Sequence, residues 1–509
     1  MAKNPAKFLM VAFLFLLVVS PALAVWGDAI HLVDVSDGRI FQRDGEYRYD
    51  LLIEGTYEGD PTAIEARIIE DGASEEVVGW TTIQAAPSGG AFAGVLAGIP
   101  QGGWYNVQVR FASIPSVLDE GKNRFGIGVL VACTGQSHID LWFELYMTGP
   151  SDTGFIPPLA DGLTRMYRHE QVRQLGPGWT GWQPVTGVGA TVFANTLREA
   201  LGVPIGLLDY GVSGSGLWER NTFDLAARGL QGVLKPMGWW LPDDSGLFPE
   251  QDNYVVFKSG LASIGNKVEA LLWVQGHTDA MAGESTEGYK LGLERLFVQM
   301  RADTGIPDLP IFISLVTRQG ANIILPLVTD ENVQKVRDAE VEYCAEDPHT
   351  YLGCTTIDIP LSFDNLHHSR AGQTLHARRL AQAVLHVLLN TGEYTYHRGP
   401  QLSGYGIVDA RTIDVRITHS GGTDFTPTTG IAGFEVLGAS AGDLVGAVRY
   451  DASTIRLTVS GDTNAVTGIR YLYGGNPGRL DLMKYAQEYV HDNSALQLPL
   501  EGGVLYGED

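Results

Sequence analysis

The chain has 509 residues, with 35 Lys and Arg against 59 Asp and Glu, a formal net charge of −24. With 44% hydrophobic and only 18% charged residues it can bury a core through most of its length, which excludes bulk disorder. The acidity excludes nucleic acid as a partner, because phosphate binding needs a basic face, and disfavours adsorption to an anionic membrane. The 63 glycines, about 12% of the chain against a usual ~7%, predict many turns and short strands. At roughly 100–200 residues per domain, two to four domains are expected.

The first 24 residues read as targeting. Lys3 and Lys7 are followed by an unbroken apolar run from Phe8 to Val19, and Ala22-Leu23-Ala24 is a small-residue cleavage site. This is the layout of a secretory signal peptide, cleaved after Ala24. A membrane anchor is the alternative, but the run falls short of the ~20 residues a span requires, and no second run of that length follows. The mature chain, with 33 basic and 59 acidic residues, would carry −26 and be secreted or periplasmic. An oxidising compartment makes the three cysteines matter. Cys344 and Cys354 lie ten apart and are expected to close one small disulfide loop, while Cys133 sits in an apolar run as a buried thiol. No Cys/His spacing predicts a zinc site.

From Val25 to about residue 127 the signals are strand and turn. Tyr47, Tyr49, Leu51 and Ile53 alternate, as do Tyr105, Val107, Val109 and Phe111, with Gly/Pro clusters between the runs. A small β-sandwich over residues 25–127 is expected. From Gly128 short apolar runs alternate with helical stretches: Gly128–Ala132, Ile205–Leu208, Ala270–Val274 and Ile311–Val316 read as strands buried on both faces. Thr191–Leu201, Tyr289–Arg301 and Gln373–Leu389 read as helices. Strand–helix alternation predicts an α/β unit with a parallel sheet over residues 128–391, and ligands in such sheets bind at the carboxyl ends of the strands. From residue 392 to 509 alternation returns, as in Ile413, Val415 and Ile417, and a second β-domain is expected.

The strand ends carry the chemistry. After the first comes Gly135-Gln136-Ser137-His138, after the second Gly211-Val212-Ser213-Gly214, after the third Gln275-Gly276-His277, and before the last helix Asp364-Asn365-Leu366-His367. A serine on a strand-to-helix turn exposes its hydroxyl, a His can take its proton, and a carboxylate orients the His. Asp364 and His367 are three apart and can meet within one turn; His368 is the alternative base. The oxyanion donors expected are the N–H groups of Ser137 and Gly214 and the side-chain amide of Gln275. Arg318, past a strand end, is placed either to bind a substrate carboxylate or to form a surface salt bridge. His376 and His386, on the final helix, read as structural.

These four blocks resemble those of the SGNH-type hydrolases, in the sialate O-acetylesterase and carbohydrate acetylesterase branch. The resemblance covers roughly residues 128–390. It implies a flavodoxin-like three-layer hydrolase domain, here flanked by β-sandwich-like domains. It makes Ser137 the nucleophile, His367 the base and Asp364 its orienter, with Gly214 and Gln275 completing the oxyanion hole. The implied activity is removal of O-acetyl groups from a sugar, sialic acid or polysaccharide, through an acyl-enzyme and without metal or organic cofactor. Two positions depart from the pattern. His138 stands where the family has Asn and His277 where it has Glu, so these two are expected to contact substrate and to replace an Asn–Glu hydrogen bond by one between imidazoles; a metal bridging them is the alternative. Ser213 replaces the first glycine of the second block. The departures also leave a rival, a non-catalytic glycan-binding protein that keeps the fold. A lipase or thioesterase is a further rival, but no apolar stretch predicts an acyl channel.

Overall fold

The computed structural model describes residues 27–144, 157–169, 181–221, 238–240, 253–319, 328–362, 364–389, 398–438, 443–475 and 488–506. The expected signal peptide and the expected boundary at 391/392 lie outside these residues.

A mixed sheet forms the centre. Its strands are β1 (Phe125–Gly135), β2 (Thr164–Arg168), β3 (Gly181–Pro184), β4 (Ile205–Gly211), β5 (Ala270–Val274), β6 (Ile311–Ser314) and β7 (Thr350–Cys354), in the spatial order β3-β2-β4-β1-β5-β6-β7. All neighbours run parallel except the edge pair β2–β3. The chain leaves β1 toward one side of the sheet and crosses to the other at β5. The crevice at the carboxyl end of β1 is therefore the topological switch point, where such sheets bind ligands.

Successive residues of β1 face opposite layers. Leu130 and Ala132 join the core under α3 (Asn253–Ile264), α5 (Thr286–Thr304) and α6 (Asp330–Glu346). Val129, Val131 and Cys133 join the core under α2 (Val188–Leu201) and α7 (Arg370–Leu389). This three-layer packing explains why the strands read as unbroken apolar runs. Helices α2, α5 and α7 begin three residues before the starts expected at Thr191, Tyr289 and Gln373. At α5 this is because Ser285 caps the N-terminus, accepting from the Gly288 amide. Helix α6 has the same device, Thr329 accepting from Asn332.

The flanks are β-rich. Ala29–Leu32, Arg48–Glu58 and Ala91–Pro100 form an antiparallel sheet, and Ala63–Glu70, Glu76–Ala85, Gly102–Phe111 and Leu118–Glu120 a second group around the same core. No loop separates this unit from the centre. The amino-terminal half of β1 pairs with Arg39–Gln42 and Gly102–Phe111, and its second half with β4 and β5. Phe125 and Ile127 accordingly belong to the first core and Val129 onward to the central ones. The expected boundary at 127/128 falls inside this strand. At the other end, Gln401–Asp409, Thr412–Thr418, Thr454–Val459 and Leu444–Asp451 make a four-stranded antiparallel sheet over a separate core. Among the described residues no helix is long and apolar enough to cross a membrane.

The expected disulfide is not formed: Cys133, Cys344 and Cys354 are all free thiols. Cys344, on α6, packs against one face of the central sheet, whereas Cys354, at the end of β7, is buried in the core on the other face. Ten residues of spacing permit a loop, but the sheet stands between the two sulfurs.

Candidate active site

The end of β1 and the start of the short helix α1 (Ser137–Asp140) form a sharp turn. Gly135 permits it. Its φ is 127°, and a Cβ there would lie 2.2 Å from the Val274 carbonyl oxygen of the adjacent strand. Gln136 is extended and Ser137 opens the helix, so the Ser137 amide is one of the orphan N–H groups of a helix start. Among the described residues it has no protein partner.

Across the crevice the turn after β7 presents Asp364 and His367. His367 Nδ1 lies 2.6 Å from Asp364 Oδ2, and His367 Nε2 lies 2.8 Å from Ser137 Oγ. A carboxylate only accepts, so Nδ1 carries the imidazole proton and Nε2 is left to accept from the serine hydroxyl. Asp364 Oδ1 in turn accepts from the amides of Leu366 and His367, each at 3.0 Å. Burial pushes the Asp364 carboxyl up, but the His367 ring and these two amides outweigh it and hold the group at about 2. The pair is half-buried, open on one side to a ligand.

The loop after β4 supplies a second amide. Ser213 donates to Asp140 Oδ2 at 2.5 Å, tying this loop to α1, and the Val212 amide donates to Gly135 O. Gly214 adopts φ 77° and its N–H has no partner among the described residues. The Ser137 and Gly214 amides are therefore the available donors on the rim.

Gln275 is not a third. Its Nε2 donates to Gln136 Oε1 (3.1 Å), Ser215 O (3.1 Å) and Asp279 Oδ2 (2.7 Å), and its Oε1 accepts from the Tyr289 hydroxyl at 2.7 Å. Two amide hydrogens facing three internal acceptors leave nothing for an oxyanion. The expected role is corrected: Gln275 joins β5 to the two loops that bear Ser137 and Gly214. Sequence reasoning gave no role to its partners. Gln136 Oε1 accepts from the Gly276 amide, and Asp279 accepts from the amides of Leu217 and Trp218 and from Asn221. The signal was present for Gln136, which lies inside the first block, while Asp279 lies two residues past the third.

His138 and His277 are not at the rim either. Both are buried, beneath the Asp364–His367 pair rather than at the open rim. Their rings stack face to face, centroids 4.0 Å apart and planes within 12°, which precludes a hydrogen bond between them. His138 Nε2 instead contacts Leu366 O at 3.0 Å. Burial, reinforced by the neighbouring His367, pushes the His138 imidazole down to about 3, and burial drives His277 well below its ordinary value. His368 is buried and packs edge-on to His376, whose Nε2 lies 2.7 Å from Ser314 Oγ; the ring against Ser137 belongs to His367, not His368. Among the described residues no three His, Cys, Asp or Glu side chains converge as a metal site. Arg318 is 1% exposed and donates to Ile359 O. It bridges the loops after β6 and β7 and presents no charge to a substrate or to the surface, a further correction.

Comparison with known proteins shows what the chain is similar to. Residues 172–386 match the family described as carbohydrate esterase, sialic acid-specific acetylesterase. The matched segment contains Gly214, Gln275, Asp364 and His367, with Ser137 preceding it. A protein of Arabidopsis thaliana named a probable carbohydrate esterase is 30% identical over 122 residues, which are 24% of this chain and 42% of that protein's length. The crystal structure of a carbohydrate acetylesterase from Xanthomonas citri superposes with a TM-score of 0.60 at 18% identity, covering 94% of this chain and 99% of that one. The likeness in fold thus extends through both flanks as well as the centre. The chain is similar in family motif and in fold to the SGNH-type hydrolases, in their carbohydrate and sialate acetylesterase branch.

Proposed function

We propose that this chain is a carboxylic ester hydrolase that removes O-acetyl groups from sugars through a Ser137–His367–Asp364 triad. The observation that carries the proposal is the pair of contacts at 2.8 and 2.6 Å linking hydroxyl, imidazole and carboxylate. Ser137 Oγ attacks the acetyl carbonyl carbon as its proton passes to His367 Nε2. Asp364 holds the tautomer and stabilises the imidazolium, the kind of proton transfer that contributes about 10²–10⁴-fold. The Ser137 and Gly214 amides receive the developing oxyanion. One such donor is worth about 10²–10³ in rate.

Collapse of the tetrahedral intermediate breaks the bond to the sugar oxygen, which takes the proton from His367. Water, deprotonated by the same nitrogen, then releases acetate from Ser137 and restores the hydroxyl. The family match favours an acetylated carbohydrate, sialic acid or a polysaccharide, as substrate. The N-terminal segment supports export, with cleavage after Ala24. The β-rich flanks, residues 25–127 and 392–509, fit sandwich-like modules around a catalytic unit at 128–391.

The test incubates wild-type protein and Ser137→Ala with O-acetylated sialic acid, acetylxylan and a small aryl acetate, and measures acetate. Release that requires Ser137 is expected, and the preferred substrate identifies the glycan. Glycan binding with no Ser137-dependent release from any of the three would turn the assignment to a binding protein.

A further inference from the structure

The turn that carries the proposed base has little of its own to hold it. Residues 364–367 lie outside helix and sheet, Asn365 takes a left-handed φ of 55°, and the turn is closed by the Ser362 amide on His367 O and the Asn365 amide on Ser362 O. Among the described residues, two hydrogen bonds join it to the nucleophile's helix. One is Ser137 Oγ on His367, which breaks and re-forms during reaction. The other is His138 Nε2 on Leu366 O, which does not involve a reacting atom.

We propose that His138 is a positioning residue, whose Nε2–H donates to the Leu366 carbonyl and clamps the Asp364–His367 turn at a fixed distance from Ser137. The inference rests on the triad assignment above. The Leu366 carbonyl can only accept, so the proton of the neutral ring is on Nε2. The ring cannot swing away. His277 covers one face at 4.0 Å, His367 lies tilted at 5.2 Å and His368 meets it edge-on at 4.9 Å. Leu366 is held from both sides, its amide by Asp364 Oδ1 and its carbonyl by His138. Displacing a base by about 1 Å costs on the order of 10²-fold in rate, so a bond that sets this distance acts on turnover rather than on substrate affinity.

Two variants separate donor from ring. His138→Phe keeps an aromatic ring for His277 to stack on but removes the N–H. His138→Gln loses the stack but carries an amide N–H about as far along the side chain as Nε2. With a small aryl acetate, His138→Phe should lower kcat about 10–100-fold with KM nearly unchanged, and His138→Gln should recover most of it. Unchanged kcat in His138→Phe, or equal losses in the two variants, would overturn the proposal. The low-field proton NMR signal of the His367 Nδ1–H gives a readout that needs no turnover. It should shift or broaden in His138→Phe and persist in His138→Gln; persistence in both overturns the clamp. If the wild type shows no Ser137-dependent hydrolysis the esterase assignment fails, and the NMR signal still decides whether His138 holds the turn.

Discussion

The Tyr289 hydroxyl donates to the side-chain carbonyl of Gln275 at 2.7 Å, and together with the Asp279 carboxylate on the amide nitrogen it sets which way the Gln275 amide points. With Oε1 engaged by α5, Nε2 is turned onto Gln136, Ser215 and Asp279. The residue therefore braces the site and does not touch the reacting carbonyl. Gln275→Ala should lower the melting temperature and reduce kcat by far less than the about 10²–10³-fold expected for a lost oxyanion donor. Thermal unfolding and steady-state kinetics on the same preparation check this.

Asp279 is the centre of that brace. It is fully buried and accepts from Leu217, Trp218, Asn221 and Gln275. Asp279→Ala strands four donors, and a loss of about 3–5 kcal/mol of stability is expected, as when one partner of a buried polar network is removed. Chemical denaturation gives the value. A loss under 1 kcal/mol would mean the donors find other partners.

Asp364→Asn preserves shape but offers no carboxylate to His367 Nδ1. By the logic of a triad it should cut kcat by about 10³–10⁴-fold. Its stability effect has a definite pH window. The carboxyl is held at about 2, below its ordinary 3.8, so its contribution is complete above pH 3.8 and disappears as pH falls through 2. The stability difference between wild type and Asp364→Asn should shrink over that interval, and a constant difference would contradict the assignment.

The buried imidazoles give a second pH dependence, at higher pH. The ordinary value for His138 is 6.5 and burial lowers it to about 3; His277, His368 and His376 are displaced in the same direction. Between these limits the unfolded chain binds more protons than the folded one. Stability therefore falls as pH falls from 6.5, by up to about 1.4 kcal/mol per pH unit for each such ring. Among the described residues both ring nitrogens of His368 lack partners, so His368→Phe should fold, keep activity and show a shallower acid slope. Melting temperatures from pH 7 to 4 measure it. Loss of all activity in this variant would return His368 to candidacy as the base.

The cysteines make a simpler prediction. Thiol titration of the unfolded, unreduced protein should give three equivalents, the three free thiols seen here. One equivalent would restore the Cys344–Cys354 bridge.

The contrast among these residues shows what a one-dimensional pattern can carry. The strand ends bearing Ser137, Gly214 and Gln275 were legible because strands buried on both faces are unbroken apolar runs and polar residues follow them abruptly. The Asp364–His367 contact was legible because both residues belong to one short turn. Gln275's orientation was not, because Tyr289 and Asp279 set it from other elements. The sides of the sheet on which Cys344 and Cys354 lie are likewise a matter of layer, which spacing does not encode. Arg318 read as a rim residue because it follows a strand, yet the loop after β7 closes over it. The change of core near residue 128 was legible, but not that one unbroken strand carries the chain across it, because β1 serves both cores.

The central claim is that Ser137 is acylated. Rapid acid quench after mixing with a small aryl acetate, followed by peptide mass spectrometry, tests it directly. The account predicts an acetyl group on the peptide containing Ser137, accumulating in wild type and absent from Ser137→Ala. Acetate release with no acetylated Ser137, or with the acetyl group on another side chain, would contradict it.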